Sequence, residues 1–229
     1  MNKTTIVAFL LLISNHISAN TLMPEINKIE SEWANIYYNK SNSVQGSYFP
    51  ELLNTTERLC LRHPKAVELK IWQAIIIATN AAFESPFTAL ESINKAKKIL
   101  EQTIKDKPTA LGGAALVTLG TLYYMTPGWP ISFGDQQKAE KLLKRALKIN
   151  PNSIDSNYFY ADFLLNKGDL TKAEKYFKLA LNAPSRKKQK FADEQLKKEA
   201  KTALLNTELR KLNSGKNRFL SLFTSAKSN

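Results

Sequence analysis

Residues suited to acid–base or nucleophilic chemistry are few in this chain of 229 residues. Its histidines are His16 and His63, and its one cysteine is Cys60. An imidazole without cysteine or carboxylate neighbours at ligand spacing does not form a metal site, and a lone cysteine cannot form an internal disulfide. The sequence contains no glycine-rich phosphate loop and no H-E-x-x-H helix. We therefore expect no catalytic residue, no metal and no cofactor, and a protein that is not an enzyme.

Side chains that could hold a ligand by stacking, apolar contact and hydrogen bonding are better represented. They are Tyr124, Trp129, Tyr158, Asp162, Leu165 and Asn166. A mixture of aromatic and hydrogen-bonding groups suits an extended peptide or a docked protein element. Trp129 stands between two prolines in a stiff loop, where its indole could contact a ligand or fill a gap in the core. Tyr123 is expected in the core, and Tyr124 on the exposed groove.

The elements that must position these residues are helices, and part of their pattern occurs twice. The first copy is Ala139, Leu143, Ala146 and Pro151, and the second is Ala173, Phe177, Ala180 and Pro184. Small residues let two antiparallel helices approach to about 8–10 Å. Proline cannot continue a helix, so it ends each unit. The pattern predicts a helical hairpin that stacks on copies of itself.

First helices of such hairpins are visible as Leu119-Gly120-x-x-Tyr123 and Tyr160-Ala161-x-x-Leu164. With them, residues 113–184 resemble the tetratricopeptide repeat (TPR) family, and residues 67–112 do so more faintly. The resemblance implies an all-α fold: a TPR-like α-solenoid of stacked antiparallel hairpins with a C-terminal capping helix. The first helices of a solenoid line a concave groove, which makes a noncatalytic protein-interaction role the leading hypothesis.

The boundaries of the expected units follow from the prolines and from the charge pattern. The hairpins are predicted at about 25–64, 67–108, 110–151 and 153–184, the capping helix at about 186–212, and a flexible tail at 213–229. The closing prolines are Pro64, Pro108, Pro151 and Pro184, and the first two intervals between them are about ten residues longer than a TPR repeat. We assign the additions to two loops, at Glu84–Thr88 and at Met125–Phe133.

The second of these loops also supports a narrower resemblance. Its Pro127-Gly128-Trp129-Pro130 string, within residues 65–185, is similar to small exported bacterial repeat proteins related to the T component of TRAP transporters. The resemblance implies a transporter solute-binding protein as a possible partner. It also leaves open an accessory that handles a small solute in a pocket, with Trp129 as its lid.

The first nineteen residues read as a secretory signal. Lys3 gives a positive start, Ile6–Ile13 is apolar, and the segment ends in small residues at Ala19. The apolar run is short of the roughly 20 residues that a bilayer span needs. We therefore expect cleavage near Ala19, a repeat domain from residue 20, a periplasmic or secreted protein, and no membrane span.

The net charge of +13 indicates anionic partners. Nucleic acid is not expected, because the export signal would separate the protein from it. The densest basic run, Arg186–Lys190, begins the predicted capping helix. A third hypothesis is therefore binding to an envelope surface through this basic cap.

Overall fold

A computed structural model describes residues 18–225 of the chain, and side chains between residues 22 and 213. The α-helices are α1 (Ser18–Asn39), α2 (Asn42–Arg62), α3 (Val67–Asn80), α4 (Pro86–Asp106), α5 (Ala114–Met125), α6 (Gln136–Ile149), α7 (Ile154–Asn166), α8 (Leu170–Asn182) and α9 (Lys190–Ser225). Short 3-10 turns lie at Ala81–Phe83, Ala110–Gly113 and Lys187–Gln189. The signal predicted for residues 1–19 lies outside the described residues except for Ser18 and Ala19, which are in the first turn of α1.

The helices pack in neighbouring pairs, and the pairs stack on each other. Helix α3 packs on α4, α5 on α6, and α7 on α8, while α4 contacts α5 and α6 contacts α7. Helix α9 covers the end of the stack, where it packs on α8 and α7. Between residues 18 and 225 there is no β-strand. The predicted all-α, TPR-like solenoid is confirmed.

The twofold alanine pattern forms the core of the last two hairpins. Its six buried members are Ala139, Leu143, Ala146, Ala173, Phe177 and Ala180, each with no exposed surface. Helices α5 and α6 approach closely at Gly120, where an added Cβ would lie 2.8 Å from Cγ of Leu143. A side chain at Gly120 would therefore push α5 and α6 apart. The prediction that small residues mediate helix contact is confirmed.

Carboxylates at equivalent positions cap the second helices of these two hairpins. The Asp135 side chain accepts hydrogen bonds from the backbone N–H groups of Gln137 and Lys138, at the start of α6. The Asp169 side chain accepts one from Lys172 N–H, at the start of α8. Both satisfy backbone donors that have no partner within the helix. Gly168, just before Asp169, has a φ of 83°, which suits glycine at a helix end.

The two additions to the repeat take different forms. Met125–Phe133 ends α5 and then forms the predicted loop before α6. The loop predicted at Glu84–Thr88 is wrong beyond Ser85, because Pro86 and Phe87 form the first turn of α4. Ser85 caps this turn by accepting from Thr88 N–H, and proline is favourable at a first helical position. The added residues therefore lengthen α4 to 21 residues, against 14 in α6.

Helix α1 connects the two ends of the stack. It packs on α2 and α3, and it also contacts the Lys187–Gln189 turn and α9. Its buried apolar side chains, among them Ile26, Ile29 and Ile36, join the core formed by α2 and α3. The chain is therefore held together by a contact between residues near its beginning and residues near its end.

The C-terminal helix is longer than predicted. Helix α9 continues to Ser225, so the tail expected from residue 213 is helical over most of its length. No proline interrupts residues 190–225, and a helix once begun extends easily. No helix within residues 18–225 combines the length and the apolar character that a bilayer crossing needs.

Candidate functional site

Four tyrosines and two carboxylates lie on α1, α5, α7 and α9, where α7 contacts α5 and α9, and α9 contacts α1. We call them the tyrosine–carboxylate cluster: Tyr37, Tyr38, Tyr124, Tyr158, Asp162 and Glu199. Three of its members, Tyr124, Tyr158 and Asp162, are contacts that the sequence predicts. These three lie on α5 and α7, the first helices of neighbouring hairpins, which form the inner face of a solenoid. The other members lie on α1 and on the capping helix α9.

The best-defined contact in the cluster joins two neighbouring hairpins. The Tyr124 hydroxyl on α5 donates a hydrogen bond of 2.5 Å to Oδ2 of Asp162 on α7. The Tyr124 ring packs edge-on against Phe163, with 5.6 Å between centroids. Burial, and then the Asp162 charge, hold the pKa of Tyr124 above its usual range, so the phenol stays protonated and keeps donating.

Tyr124 is less open than expected. It is 7% exposed and Tyr123 is 6% exposed, so both rings belong to the core. The expected division between a core Tyr123 and an open Tyr124 is wrong, because side chains of α7 pack on the Tyr124 ring and bond its hydroxyl. Its contribution to the inner face is to orient Asp162.

Tyr158 and Glu199 form the second part of the cluster. The Tyr158 ring packs against Phe177, 5.9 Å away, and Phe159, 5.1 Å away. Burial and the nearby Glu199 charge raise the pKa of Tyr158. The pKa of Glu199 is also raised by burial, although hydrogen bonding to Tyr158 opposes this, and the Asp162 charge adds to it. Glu199 and Asp162 are therefore close enough to repel each other.

Sequence reasoning missed Glu199 on α9 and both tyrosines that α1 supplies. Tyr38 is half-buried and packs edge-on against Phe191 of α9 at 6.2 Å. Burial and the Glu199 charge raise the pKa of both Tyr37 and Tyr38. The adjacent tyrosines were a visible signal of an aromatic surface. Nothing in the sequence, however, indicated that they would meet residues about 160 positions away.

The remaining predicted residues lie near the cluster or away from it. Leu165 is half-buried against the main core, and Asn166 is exposed at the end of α7. Trp129 is separate, with 89% of its surface exposed on the α5–α6 loop. The suggestion that Trp129 fills a gap in the core is wrong. Phe133 takes that place, packing on Tyr123 with 5.4 Å between centroids.

An ion cluster holds α1 against the start of α9. Arg186 lies between Asp193, to which its Nε donates at 3.1 Å, and Asp155, whose Oδ2 is 3.3 Å from Nη2. Gln189 donates from its side chain to Glu30 on α1. Two carboxylates thus contact one guanidinium, and the third, Glu30, lies near enough for its charge to act on Arg186. Burial raises the pKa of Glu30 to about 7; Arg186 opposes the shift, and Asp155 and Asp193 add to it.

The raised pKa of Glu30 predicts a stability that falls as pH rises. The folded chain binds a proton at Glu30 up to pH of about 7, whereas an exposed glutamate loses it near 4.5. The folded state therefore holds more protons between these values, and the free energy of unfolding decreases across that window by up to about 3 kcal/mol.

Glu30→Gln, which keeps the contact with Gln189, should flatten this dependence of stability on pH and raise the melting temperature at pH 8. Melting curves from pH 4.5 to 8 measure it, with exposed Glu194→Gln as control. An unchanged slope in Glu30→Gln would contradict the assignment.

Two shallow clefts accompany these features. One, of about 370 Å³, adjoins the cluster and is lined in part by Tyr38, Glu199, Thr202 and Asn206. The other, of about 440 Å³, lies between α8 and α9 around Glu174 and is remote from the cluster. Trp129 lines neither of them.

Cys60 and the histidine, aspartate and glutamate side chains are the candidates for metal binding or nucleophilic chemistry in the part of the chain that the structure describes. No three histidine, cysteine, aspartate or glutamate side chains converge there as metal ligands. Burial raises the pKa of the Cys60 thiol to about 11, so it is protonated at neutral pH. A protonated thiol is a poor nucleophile.

Comparison with known proteins agrees with this architecture. No curated protein sequence matches the chain. Residues 131–185 match the model of the tetratricopeptide repeat. This segment contains α6, α7 and α8, which carry the twofold alanine pattern, together with Tyr158 and Asp162. The match identifies a tetratricopeptide repeat in this segment, and repeats of this kind typically form noncatalytic scaffolds for protein–protein interaction.

Proposed function

We propose that this protein is a noncatalytic periplasmic interaction protein that binds an extended peptide or a docked protein element on its inner face. The repeat match supports a protein partner, and the first nineteen residues support export. The observation that carries the choice of surface is the tyrosine–carboxylate cluster. Its hydroxyls and carboxylates can exchange hydrogen bonds with a peptide, and its rings can stack on side chains.

The charge of the cluster favours a partner segment that contains lysine or arginine. Asp162 and Glu199 are half-buried, and neither has a cationic side chain within 4.0 Å among residues 22–213. The chain as a whole carries a net charge of +13. Two uncompensated carboxylates at the inner face of a basic protein provide a local site for a cation. Hydrogen bonds to charged groups contribute about 1.5–3 kcal/mol each.

Selection of peptides from a random display library on the purified protein tests this proposal. We expect the selected peptides to be enriched in lysine or arginine. The double variant Asp162→Asn, Glu199→Gln should bind a selected peptide about 100-fold more weakly, since two charge-assisted contacts are lost. The isosteric amides preserve packing, and the amide oxygen introduced in place of the Asp162 carboxylate still accepts from Tyr124. Helix content by circular dichroism should therefore not change.

The matched control is Asp106→Asn, which removes an exposed carboxylate from the end of α4, away from the cluster. It should bind the selected peptide as the unmodified protein does. Peptides without basic residues, or equal affinity for the double variant, would place the binding surface elsewhere.

The two alternatives have less support. A solute-handling accessory of a TRAP-type transporter would need Trp129 to close over a pocket, but the indole is exposed and lines neither cleft. A basic envelope-surface binder would act through Lys187, Lys188 and Lys190, which lie at the start of α9 and in the turn before it. Binding of that kind would weaken steeply with salt and would not depend on Asp162.

A further inference from the structure

Both additions to the repeat extend the same edge of the solenoid. Successive helices run antiparallel, so the connections between the first and second helix of each hairpin lie at one edge. The lengthened start of α4 follows the α3–α4 connection, and the Thr126–Asp135 loop is the α5–α6 connection. The hairpins concerned are neighbours, because α4 packs on α5. Residues that the stack itself does not require thus lie at the same edge of two neighbouring hairpins.

These projections carry exposed apolar side chains. Phe87 is 74% exposed and Trp129 is 89% exposed, and Met125 and Ile131 are also open to solvent. We call these four residues the apolar edge. Clusters of exposed large apolar side chains mark interaction surfaces, since water does not favour their exposure.

The loop is built so that Trp129 cannot fold inward. Gly134 N–H donates to Pro127 O at 2.9 Å, and Ile131 N–H donates to Gly128 O at 3.1 Å. Asp135 N–H donates to Tyr123 O at 2.9 Å, which ties the base of the loop to α5. Phe133 fills the space beneath. The backbone bonds and this inward aromatic hold Trp129 at the outer tip.

The distribution of charged residues around the apolar edge suits a surface at which a polar region meets an apolar one. No charged residue occurs in Met125–Gly134 or in Ser85–Leu90. Two ammonium groups lie at the base of the loop, each beside a carboxylate and over an aromatic ring. Lys97 Nζ is 3.1 Å from Glu101 and 5.4 Å from the Phe133 ring centroid. Lys138 Nζ is 3.5 Å from Asp135 and 5.5 Å from the Tyr123 ring centroid. An exposed salt bridge of this kind is weak, so either lysine can exchange its carboxylate for a lipid phosphate. The loop tip can therefore move from water into an apolar environment without desolvating a charge. The two lysines would then lie at the boundary between that environment and water.

We propose that the apolar edge inserts into the headgroup region of an anionic phospholipid bilayer. Tryptophan and phenylalanine favour this region, and flanking lysines pair with lipid phosphates. The net charge of +13 attracts the protein to an anionic surface. An apolar knob could also enter a protein pocket. The uncharged tip with lysines behind it, on a basic protein, favours lipid. This inference does not depend on the peptide-binding proposal.

Sedimentation with phosphatidylglycerol–phosphatidylcholine vesicles, using the exported protein after cleavage of its predicted signal, tests the inference. The protein should sediment with these vesicles and much less with phosphatidylcholine alone. Trp129→Ser should lower the partition coefficient about tenfold or more, because the largest inserting side chain is lost. Trp33 and Trp72 are at least partly buried, so the blue shift of fluorescence on vesicle addition should come from Trp129 and should disappear in the variant.

The matched control is Leu61→Ser, which removes a side chain that is 81% exposed near the end of α2, at the opposite edge. It should bind vesicles as the unmodified protein does. The inference is overturned if the unmodified protein remains in the supernatant. That result would favour a protein pocket as the partner of the apolar edge. The inference is also overturned if Trp129→Ser, with helix content retained, sediments equally well, since binding would then be electrostatic alone.

Discussion

Replacing Phe177 by alanine is expected to lower the free energy of unfolding by about 3–5 kcal/mol. Phe177 has no exposed surface, and its neighbours in the packing seam, Ala173 and Ala180, are too small to fill the space it would leave. The substitution removes apolar contacts with α7, including the Tyr158 ring, and leaves a cavity between α7 and α8. Urea denaturation followed by circular dichroism measures the change.

The control for this prediction lies on the same helix. Leu179 is 42% exposed, so Leu179→Ala changes helix composition without opening a cavity. Its effect should stay within about 1 kcal/mol. A loss below about 1 kcal/mol for Phe177→Ala would mean that the α7–α8 seam is not a packed core, contrary to the repeat architecture.

Replacing Arg186 by methionine is expected to cost about 3 kcal/mol of stability. The Asp193 side chain has no exposed surface and accepts from both the Arg186 backbone and its guanidinium. Methionine keeps the backbone N–H but removes the positive charge, which leaves a buried carboxylate uncompensated. The expected loss is at the low end of the range for broken buried pairs, because the Arg186 side chain is nearly half exposed.

The double variant Arg186→Met, Asp193→Leu should recover much of this loss. Removing both buried charges takes away the desolvation penalty as well as the attraction, and such replacements are often close to neutral. Lys187→Met, a neighbouring exposed cation, should change stability by no more than about 0.5 kcal/mol. If the double variant is less stable than the single one, Asp193 has a role beyond its pairing with Arg186.

Local spacing was sufficient to predict the stacked part of the fold. In each copy of the pattern, one alanine precedes and one follows a large apolar residue, which places small and large side chains on one helix face. Leu143 and Phe177 could therefore be assigned to the core directly. The same reasoning located α7 and the candidate contacts Tyr158 and Asp162. It failed at Glu84–Thr88, because a proline there starts a helix instead of extending a loop.

Long-range contacts were the part that sequence reasoning could not reach. Glu30 and Gln189 meet across 159 positions, and Tyr38 meets Phe191. No periodicity links such residues, since their proximity depends on the summed rotation of every hairpin between them. The charge run at Arg186 predicts a solvated basic surface, and only its distance to Asp155 and Asp193 identified an ion cluster.

The sequence by itself determined that this chain is a stack of helical hairpins and which faces of α6, α7 and α8 are buried, because these properties depend on residues a few positions apart. The tertiary structure decided that α1 returns to α9, that Tyr124 orients Asp162, and that Phe133 lies inward while Trp129 points outward. Each of these depends on which side chains compete for the same space once distant helices are brought together, and that competition leaves no periodic mark on the sequence.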